Sequence, residues 1–322
     1  MRPLKLVPDS TNISFLKWRN VAMLISLLLL AASIALCAVK GFNLGIDFIG
    51  GQSLRVTFPQ PVATEQLRAR VDALGIGEAT IQQFGSPNEV GIRTPLPDGG
   101  DEAADQAVAK LRAAITKDYP GARISGVESV SGKVSQELFR VGAISLALAM
   151  LGISLYIWFR FEWQFGIGAL FALFHDVVLT LGFFALTQLE FDLNIVAAIL
   201  TIIGYSLNDT IVVYDRIREN MRKYRKMDMV ALLDLSINET LSRTVVTSLS
   251  LGITLTILLL LGPEVIFGFT AAMLLGIVIG TFSSVYVSAA ILIWLKLNPD
   301  SFLPKEATGA AKGAERVVRE QP

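Results

Sequence analysis

An asparagine and an aspartate, Asn208-Asp209, interrupt a run of apolar residues long enough to cross a bilayer. A charged side chain near the middle of a membrane costs roughly 2.5–3.5 kcal/mol on insertion scales, so such a residue is a functional candidate by default. The bland alternative is an aspartate that only hydrogen-bonds a neighbouring helix. Residues at i, i+4, i+7 and i+8 share one helical face, which groups Thr201 and Tyr205 with Asn208 and Asp209. On the next apolar run Arg243, Thr247, Ser250 and Thr254 form a similar stripe. Asp209 lies about six residues, or roughly 9 Å, from the end of its span. Arg243 starts the following one, and its long side chain can reach inward, so the two are expected to meet. Burial disfavours a charged carboxylate and a nearby guanidinium favours it. A motion that separates them would turn a permanently ionised group into one that binds and releases protons. The chemistry suggested is proton exchange, with no cofactor or metal beyond the proton itself.

His175 and Asp176 interrupt the preceding run in the same way. Gly168, Ala172, Asp176 and Thr180 recur every fourth residue, a spacing that sets Asp176 against a neighbouring helix across small side chains. His175 is the only histidine, the side-chain type that most readily exchanges protons near neutrality. A proton relay and a structural hydrogen bond account for it equally well. Gly268, Ala272, Gly276, Gly280, Ser284 and Ser288 form a further four-residue repeat, which reads as a close-packing face with little chemical role.

These residues sit in a chain of 322, of which 52% are hydrophobic and 17% charged, a membrane-protein composition. A helical span needs about 20 apolar residues. Six segments qualify: Val21–Val39, Val141–Phe159, Gln164–Leu189, Leu193–Tyr214, Thr244–Gly262 and Val265–Leu295. The last is too long for one upright span, so it tilts or begins as an interfacial piece after Pro263. Lys and Arg crowd the segment 215–243, the N-terminal residues 1–20 and the polar tail 296–322, while the connections Glu190-Phe-Asp192 and Pro263-Glu264 have none. The positive-inside rule then predicts a multi-pass protein with both termini in the cytoplasm. The basic loop could suggest RNA binding, but its mixed acids make topology the better explanation, and no nucleic-acid partner is expected. The first span is longer than a signal-peptide core and lacks a small-x-small site before Lys40. Cys37, the only cysteine, lies in that span, so no intrachain disulfide can form.

Residues 40–140 form the one segment able to fold outside the bilayer. Gln52–Phe58 alternates as a strand, and Thr64–Leu74 has helical periodicity with Thr64 as its cap. Ala79–Phe84 and Glu89–Arg93 read as strands joined by a Gly-Ser-Pro-Asn turn, and Pro95–Gly100 as a loop. Asp101–Tyr119 is a helix with an acidic first turn, and Ala122–Val130 a closing strand. The order β-α-β-β-α-β predicts a ferredoxin-like α+β unit. It has neither His nor Cys and no Gly-rich phosphate loop, so binding or leverage is expected of it rather than catalysis.

Four stretches carry a resemblance: Gly45-Ile-Asp47-Phe48-Ile-Gly50-Gly51, Gly204-Tyr205-Ser206-Leu-Asn208-Asp209-Thr210, Asp215-Arg216-Ile-Arg218-Glu219-Asn220, and Leu241-Ser-Arg243-Thr244. They resemble the signatures of the SecD/SecF family of Sec-translocase membrane proteins, within the resistance-nodulation-division superfamily. The resemblance covers nearly the whole chain. It implies a SecF-like half that pairs with SecD in the bacterial inner membrane and associates with the SecYEG channel, YajC and YidC. It implies that the carboxylate at Asp209 and the guanidinium at Arg243 serve proton-driven movement of the external domains, drawing unfolded polypeptide outward after SecA has pushed it. The alternative within the superfamily is half of a proton-driven exporter of lipids or small molecules. Such exporters usually carry larger external domains than residues 40–140.

Overall fold

The computed structural model describes residue 8 and residues 11–77, 79–83, 86–97 and 100–297. The expected basic residues Arg2, Lys5, Lys305, Lys312, Arg316 and Arg319 lie outside them, as does Gly85 of the predicted turn. Among the described residues, six helices are long and apolar enough to cross a membrane. They comprise α1 (Arg19–Val39), α5 (Gly132–Arg160), α6 (Trp163–Thr187), α7 (Leu193–Lys223), α8 (Met229–Leu261) and a composite sixth span. That span begins with a 3₁₀ turn at Glu264–Ile266, continues as α9 (Phe267–Phe282), loosens into a π-helical segment (Ser283–Val287) and ends as α10 (Ser288–Trp294).

Between α1 and α5 lie a short α2 (Ile46–Ile49), β1 (Gly51–Thr57), α3 (Thr64–Asp72), β2 (Thr80–Gln83), β3 (Glu89–Thr94), α4 (Gly100–Asp118) and β4 (Arg123–Val130). The strands form one antiparallel sheet in the order β2-β3-β1-β4. Leu54 and Val56 of β1, and Val90 and Ile92 of β3, pack with Leu67, Val71, Leu111 and Ile115 of the two helices, as period-2 and period-3.6 patterns require. One detail differs from expectation. The cap position of α3 is Ala63, without a side-chain bond, and Thr64 is the first helical residue.

The segment 215–243 is not a loop. It consists of helical extensions of α7 and α8 joined by residues 224–228. Asp228 caps α8 by accepting from the Val230 and Ala231 amides. Leu232, Leu233, Ser236, Ile237 and Thr240 then give the extension a buried face, which is why it stays helical beyond the apolar run.

The bundle centre is α6, α7 and the sixth span, whereas α1, α5 and α8 leave broad apolar faces exposed. Gly276 and Gly280 set how closely α9 lies on α7. A Cβ on Gly276 would collide with Ile202, and one on Gly280 would come within 3.1 Å of Ser206 Cβ. This close approach brings hydroxyls of the sixth span to the carboxylates of α6 and α7.

Candidate functional site

Asp209 is 8% exposed and held by two hydroxyls from different helices. Thr244 Oγ1 of α8 donates to Oδ1 at 2.6 Å, and Ser284 Oγ of the π-helical segment donates to Oδ2 at 2.7 Å. Arg243, the expected partner, is exposed, and among the described residues its side chain enters no hydrogen bond or ion pair. The physical reason is helical phase. Thr244 turns toward α7, so Arg243, one residue earlier, is rotated about 100° away. Asn208 is exposed as well, and Thr201, Gly204, Thr247, Ser250 and Thr254 are also exposed on α7 and α8.

Asp176 is completely buried, beside an equally buried His175. His175 Nδ1 lies 2.9 Å from Oδ1. Ser206 Oγ of α7 and Ser283 Oγ of the π-helical segment donate to Oδ2 at 2.5 and 2.8 Å. Thr180 bonds the Asp176 carbonyl, holding the helix turn. Gly168 of the same stripe accommodates the Tyr214 hydroxyl and the Ser288 carbonyl. His175 Nε2 is buried without a partner among the described residues.

The two carboxylates are therefore joined through consecutive serines, Ser283 serving Asp176 and Ser284 serving Asp209. Consecutive side chains on a tight α-helix diverge by 100°, and a π-helical turn reduces that divergence; such turns occur frequently at functional sites. Ser284 is thus more than the packing residue its spacing suggested, and Ser283 and Thr244 join it as site residues. Thr244 stood within a recognised stretch and the Ser283-Ser284 doublet is visible in the sequence, but neither pattern carries a partner's identity. No Lys or Arg touches either carboxylate among the described residues. Among the described residues, hydroxyls and one imidazole bond to them, and each of these groups can donate or accept.

The remaining motif residues position this centre. At the end carrying the sheet, Gly50 and Gly51 have φ of +73° and +121°, and a Cβ on Gly51 would collide with the Thr94 carbonyl. Asp47 Oδ2 accepts from the Leu193 amide at the start of α7, Phe48 packs edge-on to Phe139, and the Gly45 amide donates to the Phe191 carbonyl. Arg93 of β3 completes the seam, bonding Leu44 O and Asn43 Oδ1 and lying 3.4 Å from Glu190 Oε1. Burial pushes the Glu190 carboxyl above the usual range despite the Arg93 guanidinium, and burial raises Asp192 too.

At the opposite end the Asp215–Asn220 stretch forms a clamp. Asp215 pairs with Arg160 at 3.0 Å, Arg216 with Glu219 and Glu239 at 2.7 Å each, and Arg218 with Glu162 at 3.3 Å. Asn220 Nδ2 donates to Glu239 Oε2 and Ser236 Oγ. Tyr205 shares a 2.9 Å bond with Ser248, and Thr210 is buried.

Residues 110–298 match the family described as protein export membrane protein SecD/SecF, C-terminal, and residues 35–62 match the SecD/SecF GG motif. The Vibrio alginolyticus protein translocase subunit SecF is 41% identical over 316 residues, covering 97% of this chain and 98% of that one. The SecF of Cereibacter sphaeroides is 42% identical over 301 residues, covering 92% of this chain and 93% of that one. A crystal structure of SecDF from Thermus thermophilus, a translocon-associated membrane protein, superimposes with a TM-score of 0.83 at 35% identity. The match covers 91% of this chain and only 40% of the SecDF chain. A SecDF structure in a super-membrane-facing form gives a TM-score of 0.67 at 34% identity, covering 96% of this chain and 41% of that one.

Proposed function

Because the chain belongs to the SecD/SecF family of protein-export membrane proteins, we propose that it is the SecF-type subunit that couples proton flow to polypeptide export, acting with a SecD-type second half. The observation that carries the proposal is the pair of buried carboxylates held, among the described residues, by hydroxyls and an imidazole alone. A charge moving across a membrane yields about 2.3 kcal/mol per 100 mV, and each 1.4 kcal/mol is about tenfold in an equilibrium. One proton is therefore enough to bias a two-state element.

The protein lies in the bacterial inner membrane with both termini and residues 215–243 in the cytoplasm, in keeping with the clustered Lys and Arg. Residues 40–140 lie outside as a ferredoxin-like unit; the β-α-β-β-α-β order and the antiparallel sheet β2-β3-β1-β4 support that reading. The GG stretch and the Arg93–Glu190 seam join this unit to α6 and α7, so a shift of those helices reaches it.

The exposed polar face formed by Asn208 of α7 and Arg243 of α8 is costly against lipid. The second half covers it, and Arg243 exerts its influence there rather than by pairing with Asp209 in the state seen. The relative share of the SecDF chain outside the match leaves room for such a half. Association with SecYEG, YajC and YidC, and action after SecA, follow from the family resemblance and belong to the same proposal.

The test is export of a reporter polypeptide by membrane vesicles, with and without a dissipated proton gradient. Asp209→Asn keeps the size and accepting oxygen but cannot exchange a proton, so it should assemble normally and lose gradient-dependent stimulation. Asp209→Glu should retain part of it. Full stimulation in Asp209→Asn at normal protein levels contradicts the proposal.

A further inference from the structure

Asp176 accepts from two serine hydroxyls and lies against the His175 imidazole, no Lys or Arg touches it among the described residues, and the second ring nitrogen of His175 has no partner among them. A structural carboxylate needs only fixed donors. Here one of those donors is built to reverse. Ser283 Oγ lies 2.8 Å from Asp176 Oδ2 and 3.2 Å from the Gly280 carbonyl of its own helix. Ser284 Oγ lies 2.7 Å from Asp209 Oδ2 and 3.1 Å from the Thr281 carbonyl. A hydroxyl has one proton to donate and can also accept. When the carboxylate is ionised, the serine donates to it. When the carboxylate carries its proton on Oδ2, that O–H donates to the serine oxygen and the serine turns its proton to the waiting carbonyl; with the proton on Oδ1, the serine keeps donating to Oδ2. Both protonation states of both carboxylates thus keep every hydroxyl satisfied.

We propose that Asp176 is a second intramembrane proton site, supplied through His175, and that consecutive serines of the π-helical segment link its protonation to that of Asp209. A proton arriving at His175 Nε2 lets the Nδ1 proton pass to Asp176 Oδ1 across 2.9 Å. The carboxylate becomes a neutral acid, and the imidazole stays neutral with its proton on Nε2; the reverse transfer restores the starting state.

Among the described residues, three groups bond the Asp176 carboxylate. They are His175 on its own helix, Ser206 on α7 and Ser283 on the π-helical segment, with Asp209 reached through Ser284. The sixth span from Phe267 to Trp294 contains no Asp, Glu, Lys, Arg or His, and α1 has ionisable side chains only near its ends, at Arg19 and Cys37. No fixed charge from either element therefore locks Asp176 in one state. The inference deepens the proton-coupling reading and rests on it for its purpose, but its test reads protonation alone.

The test uses the full chain in lipid vesicles and infrared difference spectroscopy of the carboxylic-acid C=O stretch as pH is raised. Two bands should disappear, one missing in Asp176→Asn and the other in Asp209→Asn. Asp176→Glu should retain a displaced band, which excludes misfolding as the cause of the loss. Ser283→Ala should shift the Asp176 band and Ser284→Ala the Asp209 band, and either should shrink the response of one carboxylate's band to substitution of the other. In Asp209→Asn the pH dependence of the Asp176 band should change, and an unchanged dependence overturns the link between the two sites. His175→Gln keeps a donor toward Asp176 but carries no relay, so the band should respond more slowly to a pH jump. An Asp176→Asn spectrum identical to the parent protein across the range overturns the proposal. An unslowed response in His175→Gln overturns the supply route. The coupling reading fails separately, on undiminished gradient-driven export by Asp209→Asn.

Discussion

The carboxylates at the basic end of the bundle and those at its centre are satisfied by opposite means. Asp215, Glu162, Glu219 and Glu239 each have an arginine within 2.7 to 3.3 Å and sit where water reaches them. Asp176 and Asp209 are buried, and among the described residues only hydroxyls and one imidazole bond to them. A guanidinium always carries its charge and fixes its partner as an anion. A hydroxyl donates or accepts as required. The first arrangement holds helices together; the second permits a change of protonation without leaving a buried polar atom stranded. The difference separates ionisable residues that fasten the bundle from those that can drive it.

Removing the hydroxyls should break that contrast most severely. In Thr244→Val with Ser284→Ala, Asp209 loses both donors, and bonds to a charged group are worth about 1.5–3 kcal/mol each. The variant should lose about that much stability in detergent thermal unfolding; parent-like stability would remove the distinction. Next is Gly276→Leu, which forces α9 away from Ile202 and moves the serines off the carboxylates. Overpacking of this kind costs about 1–3 kcal/mol, and gradient-dependent export should fall with the thermal midpoint. A stable, active Gly276→Leu would mean the close approach does not position the site.

At the basic end, Asp215→Asn should cost at most about 1 kcal/mol, as partly exposed ion pairs do, with gradient-dependent export retained. The smallest effect is expected at the seam beneath the sheet. Glu190 and Asp192 are raised by burial, so their ionised forms are penalised when the seam is closed. Closure is therefore favoured below the ordinary carboxylate range and weakens as pH rises through the raised values. Amide hydrogen exchange at residues 188–192 should quicken across that window, and less so in Glu190→Gln. An equal pH response in both proteins would remove Glu190 from the seam's proton linkage.

Six apolar runs and the β-α-β-β-α-β order are legible from periodicity alone, and Asp176 and Asp209 announce themselves as charges among apolar residues. Their partners do not. Most helical Ser and Thr hydroxyls bond their own preceding turn, as Thr201, Thr247 and Thr254 do here. Nothing in composition distinguishes those from Ser206 or Ser284, which reach another helix. A four-residue repeat through the sixth span assumes an unbroken α-helix, whereas the π-helical segment changes the phase and brings Ser283 in beside Ser284. Arg243 departs from its expected place for a related reason. Reach and depth allowed it to meet Asp209, but helical phase, fixed by Thr244, turns it away. The helicity of residues 215–243 was hidden by their charge, although Leu232, Leu233 and Ile237 carry the pattern.

The most direct measurement is proton influx into vesicles containing the protein with its second half, read by an enclosed pH-sensitive dye under an imposed gradient. Asp209→Asn and Asp215→Asn, at matched protein levels, place the same chemical change in the two regions. The account predicts that influx is lost in Asp209→Asn and retained in Asp215→Asn. Influx in Asp209→Asn equal to that of the parent protein would contradict it.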